Sequence, residues 1–234
     1  MATIARWLLV ALFAAISGCS PGKQVSLDPA AKKAVEDLKQ QAEKGDPVAQ
    51  WQLGSRYDSG QGVPSDGAEA EKWYRRSADS GYAEAQNSLG SAYQAEHRYA
   101  DAVGWYQKGA DQGHALALNN LAYMYDLGLG VTQDRHHAFE LYMKAADQGN
   151  PQAMFNIAVV YGAGQVRDPN LEQAYVWLLR AKRYRTNCFS RDSKTDNRVD
   201  GAIRYSEGKL SSDEQDRARR IAADWSPAGA CDRP

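Results

Sequence analysis

The chain has 234 residues, 43% of them apolar and 24% charged, with a net charge of −1. That balance excludes a disordered chain and supplies no polycationic surface for nucleic acid. The length allows one or two ordinary domains, and gross charge says nothing further about partners.

The first 19 residues are of a different kind. Arg6 supplies a minimal positive start, and residues 7–16 form a continuous apolar run. The run is too short for the ~20 residues of a membrane-spanning helix and suits a removable secretory leader. Its end, Ile16-Ser17-Gly18-Cys19, resembles the bacterial lipobox. The resemblance implies cleavage before Cys19 and lipid attachment to it. Ser20 in place of an aspartate implies sorting to the outer membrane, facing the periplasm. Several acyl chains anchor durably, because each buried methylene contributes ~0.8 kcal/mol. An ordinary leader with a chance cysteine is the alternative. Residues 1–18 are then the leader and residues 19–27 a polar tether.

Helical sequence begins at residue 28. Asp28-Pro29 reads as an N-cap and first-turn proline, and Val35, Leu38 and Ala42 share one face of a helix over residues 30–44. That helix ends in Ala42-Glu43-Lys44-Gly45, and the junction returns at Ala78-Asp79-Ser80-Gly81, Ala110-Asp111-Gln112-Gly113 and Ala146-Asp147-Gln148-Gly149. The glycines are 36, 32 and 36 residues apart. Four residues after each stands Ala49, Ala85, Ala117 or Ala153, and four further on Leu53, Leu89, Leu121 or Ile157. Gly54, Gly90, Ala122 or Ala158 follows directly, and Tyr57, Tyr93, Tyr125 or Tyr161 completes the first helix. A second helix carries Ala70, Ala102, Ala138 or Ala174, followed three residues later by Trp73, Trp105, Leu141 or Trp177. The spacing predicts a glycine-capped hairpin in which small residues permit close helix approach while leucines and aromatics fill the core. One hairpin cannot bury both its faces, so the units must stack.

The Gly-x-x-x-Ala-x-x-x-Leu-Gly-x-x-Tyr start, the Gly-x-Gly-Val turns at residues 60–63 and 128–131 and the Trp-Tyr second helix resemble the Sel1-like repeat, a relative of the tetratricopeptide repeat. The resemblance implies an all-α, right-handed α–α solenoid of about ten to twelve helices. It would cover residues 28–182, with repeats over 45–80, 81–112, 113–148 and 149–182. The second unit has lost its glycine turn, leaving nine residues from Tyr93 to Ala102 against thirteen from Tyr57 to Ala70. The fourth has Gly164-Gln165-Val166, one glycine short. Such changes should alter local geometry without preventing stacking.

Residues 183–234 read as a C-terminal cap. Residues 183–197 are polar and basic, which predicts a loop, and residues 198–207 allow a short helix. Ser211 or Ser212 before Asp213-Glu214-Gln215 marks a further helix start, with Ala218, Ile221, Ala222 and Trp225 as its apolar face and Pro227 as its stop. Cys188 and Cys231 are the cysteines left once Cys19 is lipidated, and an oxidising periplasm favours a disulfide between them. Closing that loop would contribute about 4 kcal/mol. Two free thiols are the alternative.

No chemistry-bearing motif appears. His97, His114, His136 and His137 have no partner at metal-ligand spacing, and there is no nucleophile elbow or phosphate loop. The expectation is therefore a non-enzymatic protein with no catalytic residue, metal or cofactor. Residues 180–209 hold nine basic residues against four acidic ones, a solvated stretch or a site for an anionic partner. The first helices offer a strip two and six positions after each repeat alanine. It comprises Trp51 and Ser55, Asn87 and Ser91, Asn119 and Tyr123, then Phe155 and Val159. Aromatics mixed with amides suit a protein-binding groove, unless Trp51 and Phe155 pack under neighbouring repeats. Resemblance to small Sel1-like lipoproteins implies a protein partner. The chain would be an immunity partner neutralising an antibacterial effector such as a phospholipase. Its alternatives are a scaffold for an envelope polysaccharide or secretion assembly and, from a different class, a cell-wall or β-lactam hydrolase.

Overall fold

The computed structural model describes residues 29–166, 168–188 and 193–227, and the side chains of residues 30–166, 168–184 and 197–227 within them. Among the described residues there are eleven helices and no strand. In chain order they are α1 (Pro29–Glu43), α2 (Pro47–Ser59), α3 (Gly67–Asp79), α4 (Ala83–Ala95), α5 (Tyr99–Asp111), α6 (Ala115–Leu127), α7 (Arg135–Ala146), α8 (Pro151–Ala163), α9 (Leu171–Cys188), α10 (Ser193–Glu207) and α11 (Ser212–Ala223). Each helix from α1 to α9 packs on its chain neighbours, and α10 and α11 both pack on α9, giving an all-α solenoid of helical hairpins. Cys19 and Cys231 lie outside the described residues, as does the side chain of Cys188, so the lipid attachment and the disulfide remain sequence expectations. Asp28, the expected cap of α1, lies outside them too.

The four junctions share one construction. After α3 the Gly81 N–H donates to the Ala78 carbonyl and the Tyr82 N–H to the Ser77 carbonyl, at 3.0 and 3.2 Å. This pair of bonds is the Schellman closure, which needs a left-handed residue at its centre. Gly45, Gly81, Gly113 and Gly149 supply it, with φ between +77° and +95°. The residue after each glycine is already the N-cap of the next helix: Asp46, Tyr82, His114 and Asn150. Three of them cap with a side chain, Asp46 accepting from Val48 N–H at 2.9 Å, His114 Nδ1 from Ala117 N–H at 3.3 Å and Asn150 from Ala153 N–H at 2.9 Å. One residue therefore ends a helix and starts its successor.

The hairpin turns vary in length but close identically. The backbone N–H of Asp66, Arg98, Asp134 and Asn170 each donates to the carbonyl of Tyr57, Tyr93, Tyr125 and Tyr161, at 2.9 Å. In the shortened second repeat His97 takes the left-handed place with φ +60°, and Arg98 closes on Tyr93 at once. Loss of four residues thus leaves both helices where stacking needs them.

Inside, Ala49, Ala85, Ala117 and Ala153, and the Leu or Ile four residues later, are fully buried. The tyrosines divide differently from the sequence expectation. Of those ending the first helices only Tyr93 is buried, while Tyr57, Tyr125 and Tyr161 lie half-buried at the margin. The large core rings come from the second helices as Tyr74, Tyr106 and Tyr142. Gly54 and Gly90 make room for two of them: a Cβ there would stand 2.7 Å from the Tyr74 or Tyr106 ring. Periodicity along one helix cannot tell which of two facing tyrosines lies deeper.

The cap also departs from expectation. The loop expected over 183–197 is largely helical, because α9 continues to Cys188 and α10 begins at Ser193. The extra turn of α9 buries Tyr184, whose ring meets Trp225 edge-on at 5.6 Å. Trp225 also meets Trp177 at 5.6 Å, and the Arg180 guanidinium lies over both indoles at 4.6 and 4.7 Å. On α11, Ala218 and Ala222 are buried but Ile221 is 41% exposed, so the expected apolar face is narrower. Ser211 forms a capping box with Glu214. The helix ends at Ala223, ahead of Pro227, with Asp224 as its C-cap.

Candidate functional site

A regular polar seam runs across the first helices. The residue two positions after the repeat alanine bonds the residue three positions after the alanine of the next repeat. Trp51 Nε1 donates to Ser88 Oγ at 3.0 Å, Asn120 Nδ2 to Asn87 Oδ1 at 2.9 Å, and Asn156 Nδ2 to Asn119 Oδ1 at 3.0 Å. Two bonds within helices join these steps: Asn119 Nδ2 donates to Asn120 Oδ1 at 3.2 Å, and Gln152 Nε2 to Asn156 Oδ1 at 3.1 Å. From Gln152 through Asn156, Asn119 and Asn120 to Asn87, every amide donates in the same direction. Such chains polarise and reinforce one another.

This seam places the expected strip. Trp51 is half-buried, its ring edge-on to Tyr82 at 5.8 Å, and Asn119 is only 6% exposed. Phe155 is 9% exposed, since α10 lies where a fifth repeat would begin and sets the Arg198 guanidinium 5.1 Å over the ring. These residues join repeats to one another and to the cap, so the row does not stand free as expected. Asn87, Ser55 and Val159 are half-buried and Ser91 is exposed, its hydroxyl 3.1 Å from that of Tyr106. Tyr123 is half-buried, and its phenol is pushed up by burial first, then by Asp126 and Tyr99, with Arg198 opposing.

The large apolar side chains that the first helices leave exposed were missed. Val48, Leu116 and Leu127 are 40%, 40% and 39% exposed. Leu116, Asn120, Tyr123 and Leu127 follow one another at three- and four-residue spacing and so share a stripe of α6. The signal was available in the sequence as amides at adjacent positions, Asn87 with Asn119-Asn120 and then Asn156, one repeat apart.

The other candidates sit elsewhere. His136 is exposed beside a shallow hollow with Phe139, Met143 and Val166 on the second-helix side. His137 meets Tyr125 edge-on at 4.6 Å and lies 3.8 Å from Glu140. His114 is the N-cap of α6, its protonation disfavoured by burial. Among the described residues no cluster of His, Cys, Asp or Glu could hold a metal, and no helix is long and apolar enough to cross a membrane. In the basic stretch, Lys182 pairs with Asp200 at 2.9 Å and Arg180 is held by Trp177, Trp225 and the Ile221 carbonyl.

Stacked hairpins with an open, mixed first-helix face define a helical-repeat module for protein–protein interaction. The Sel1 repeat model matches residues 47–82, 83–114, 115–150 and 151–183, and the chain belongs to the Sel1 repeat family. Among solved structures it is similar to a protective antigen of uropathogenic Escherichia coli displaying an SLR fold, with 29% identity and a TM-score of 0.72, covering 81% of this chain and 40% of that one. It is also similar to a Sel1 repeat protein from Oxalobacter formigenes, with 28% identity and a TM-score of 0.60, covering 66% of this chain and 65% of that one. An immunity protein of Pseudomonas aeruginosa shares the fold at 17% identity, with a TM-score of 0.51, covering 82% of this chain and 75% of that one. The chain thus spans less than two thirds of the first two structures. Comparison with curated proteins finds no match.

Proposed function

We propose that this protein is a non-enzymatic, lipid-anchored module of the bacterial envelope that binds another protein through its first-helix face. On this reading it acts as an immunity partner that neutralises an antibacterial effector. The observation that carries the binding reading is the open stripe of α6, where Leu116 and Leu127 stand exposed among amides. Exposed aliphatic groups beside orienting amides are the composition of a partner surface. The anchor reading is supported by the lipobox resemblance at residues 16–19. The immunity reading is supported by the fold shared with the Pseudomonas aeruginosa immunity protein.

The deciding experiment is co-purification from envelope extracts, paired with deletion of the chain. A toxin-like hydrolase in the eluate, with deletion cells sensitised to attack by sibling cells, supports immunity. Unchanged resistance after deletion overturns immunity, and a synthase or pore subunit in the eluate favours the scaffold. Metabolic labelling with palmitate should be lost in Cys19→Ala.

A further inference from the structure

The first-helix face holds a cation that no carboxylate of the described residues neutralises. Arg198 projects from α10, exposed, with its guanidinium over Phe155 and no ion pair among the described residues. Three other cations of the cap are paired: Lys182 with Asp200, Arg217 with Glu172 and Arg219 with Glu207. Phe155 lies on α8 directly before Asn156, so the guanidinium stands beside the Asn156–Asn119 bond that joins α8 to α6. The nearby acid, Asp126, is turned toward Arg135 at 3.6 Å.

The first-helix face beside Arg198 carries the amide ladder, and α8 itself contributes no charged residue. The ladder has unused capacity at both ends, since Asn87 Nδ2 donates to nothing and Gln152 Oε1 accepts from nothing among the described residues. An extended chain carries free main-chain N–H and C=O groups that such amides can satisfy. Arg198 is pre-oriented, because a guanidinium lying on an aromatic face keeps its donors directed outward and loses less freedom on binding. A small free anion would make no use of the amide row, and one arginine is too little for a nucleic-acid backbone, whose affinity rests on many phosphate contacts.

We propose that the first-helix face of α6 and α8, beside Arg198 of α10, binds an extended acidic segment of a protein partner, its Asp or Glu carboxylate on Arg198 and its main chain on the amide ladder. This rests on the reading of the first-helix face as the binding face and names the partner's chemistry there.

The purified protein is panned against a displayed library of random linear peptides, and the best binder is remade with a fluorescent label for anisotropy titration. Selected peptides should carry an acidic residue at a constant position. Arg198→Gln should weaken the labelled peptide by about tenfold to a hundredfold, the worth of a hydrogen bond to a charged group, with the thermal midpoint unchanged. Arg198→Glu should prefer the peptide whose acid is replaced by lysine. Selection with no acidic position, or Arg198→Gln binding within about twofold of the parent, overturns the proposal. A panning that yields no binder overturns it as well. The co-purification decides separately whether the face binds a protein at all, so the two readings fail on different measurements.

Discussion

Tyr106 and Tyr142 occupy equivalent places in successive repeats, and their hydroxyls differ in one respect. Tyr106, 1% exposed, donates to Gln94 at 2.7 Å and lies 3.1 Å from Ser91, and burial pushes its phenol up to about 12. Tyr142 is fully buried, its hydroxyl has no hydrogen-bond partner among the described residues, and its phenol is raised well above the ordinary value, again chiefly by burial. The third repeat replaces Ser91 by Tyr123 and Gln94 by Asp126, whose carboxylate is turned toward Arg135. A net hydrogen bond contributes about 0.5–1.5 kcal/mol, so Tyr106→Phe should cost about that much. A buried hydroxyl without a partner opposes folding by about 1–3 kcal/mol, so Tyr142→Phe should be neutral or should stabilise by about 1 kcal/mol. For a chain of this size each kcal/mol moves the thermal midpoint by about 2–4 °C. Circular dichroism melts of the two variants at matched concentration measure the contrast. A Tyr142→Phe midpoint lowered as far as that of Tyr106→Phe would refute the reasoning, because the hydroxyl would then have to be satisfied.

Three further outcomes are expected. His114 caps α6 through Nδ1, which accepts only while the ring is neutral, and burial lowers its pKa below 6.5. The unfolded chain therefore takes up the proton first, and this contribution, present above pH 6.5, is lost as pH falls through the lower folded value. His114→Asn should match wild type at pH ~7.5 and melt higher than it at pH ~5. Gly90→Val places atoms into the Tyr106 ring and should cost about 1–3 kcal/mol in urea unfolding, whereas Gly104→Val on open surface should change stability by less than about 0.5 kcal/mol. His97→Gly relieves a left-handed backbone and should raise the melting midpoint, with a gain of about 1 kcal/mol. An unchanged or lower midpoint there would mean that the His97–Tyr99 side-chain contact at 2.8 Å outweighs the strain.

The repeat period, the junction glycines and the helix order were legible because each is a local signal copied four times. Eleven helices among the described residues fall within the expected ten to twelve. The binding strip was less legible. A helical wheel drawn for one repeat places Asn119 and Phe155 on the outer side, yet the next repeat or the cap covers that flank. Covering is a property of neighbours, and it moves the accessible row about one position round each helix, toward Leu116, Asn120 and Leu127. The long α9 was hidden for a similar reason: residues 183–188 look polar, and only the packing of Tyr184 on Trp225 shows why the helix continues. The sequence reading of His97 weighed only its lack of a metal-ligand partner, while its backbone does the work glycine does in the other hairpins.

Because one residue closes each helix and opens the next, the junctions at Gly45, Gly81, Gly113 and Gly149 have no slack to absorb an added residue. The hairpin turns do, since the same closing bond forms across five residues in the second repeat and across nine in the others. Compliance and tolerance to length change are thereby confined to one edge of the solenoid. Insertions within residues 61–65 or 129–133 should leave the stack in register, whereas a single residue added after any junction glycine would rotate everything beyond it. The array behaves as a chain of stiff vertebrae hinged along one side, free to lengthen there while the first-helix face keeps its spacing.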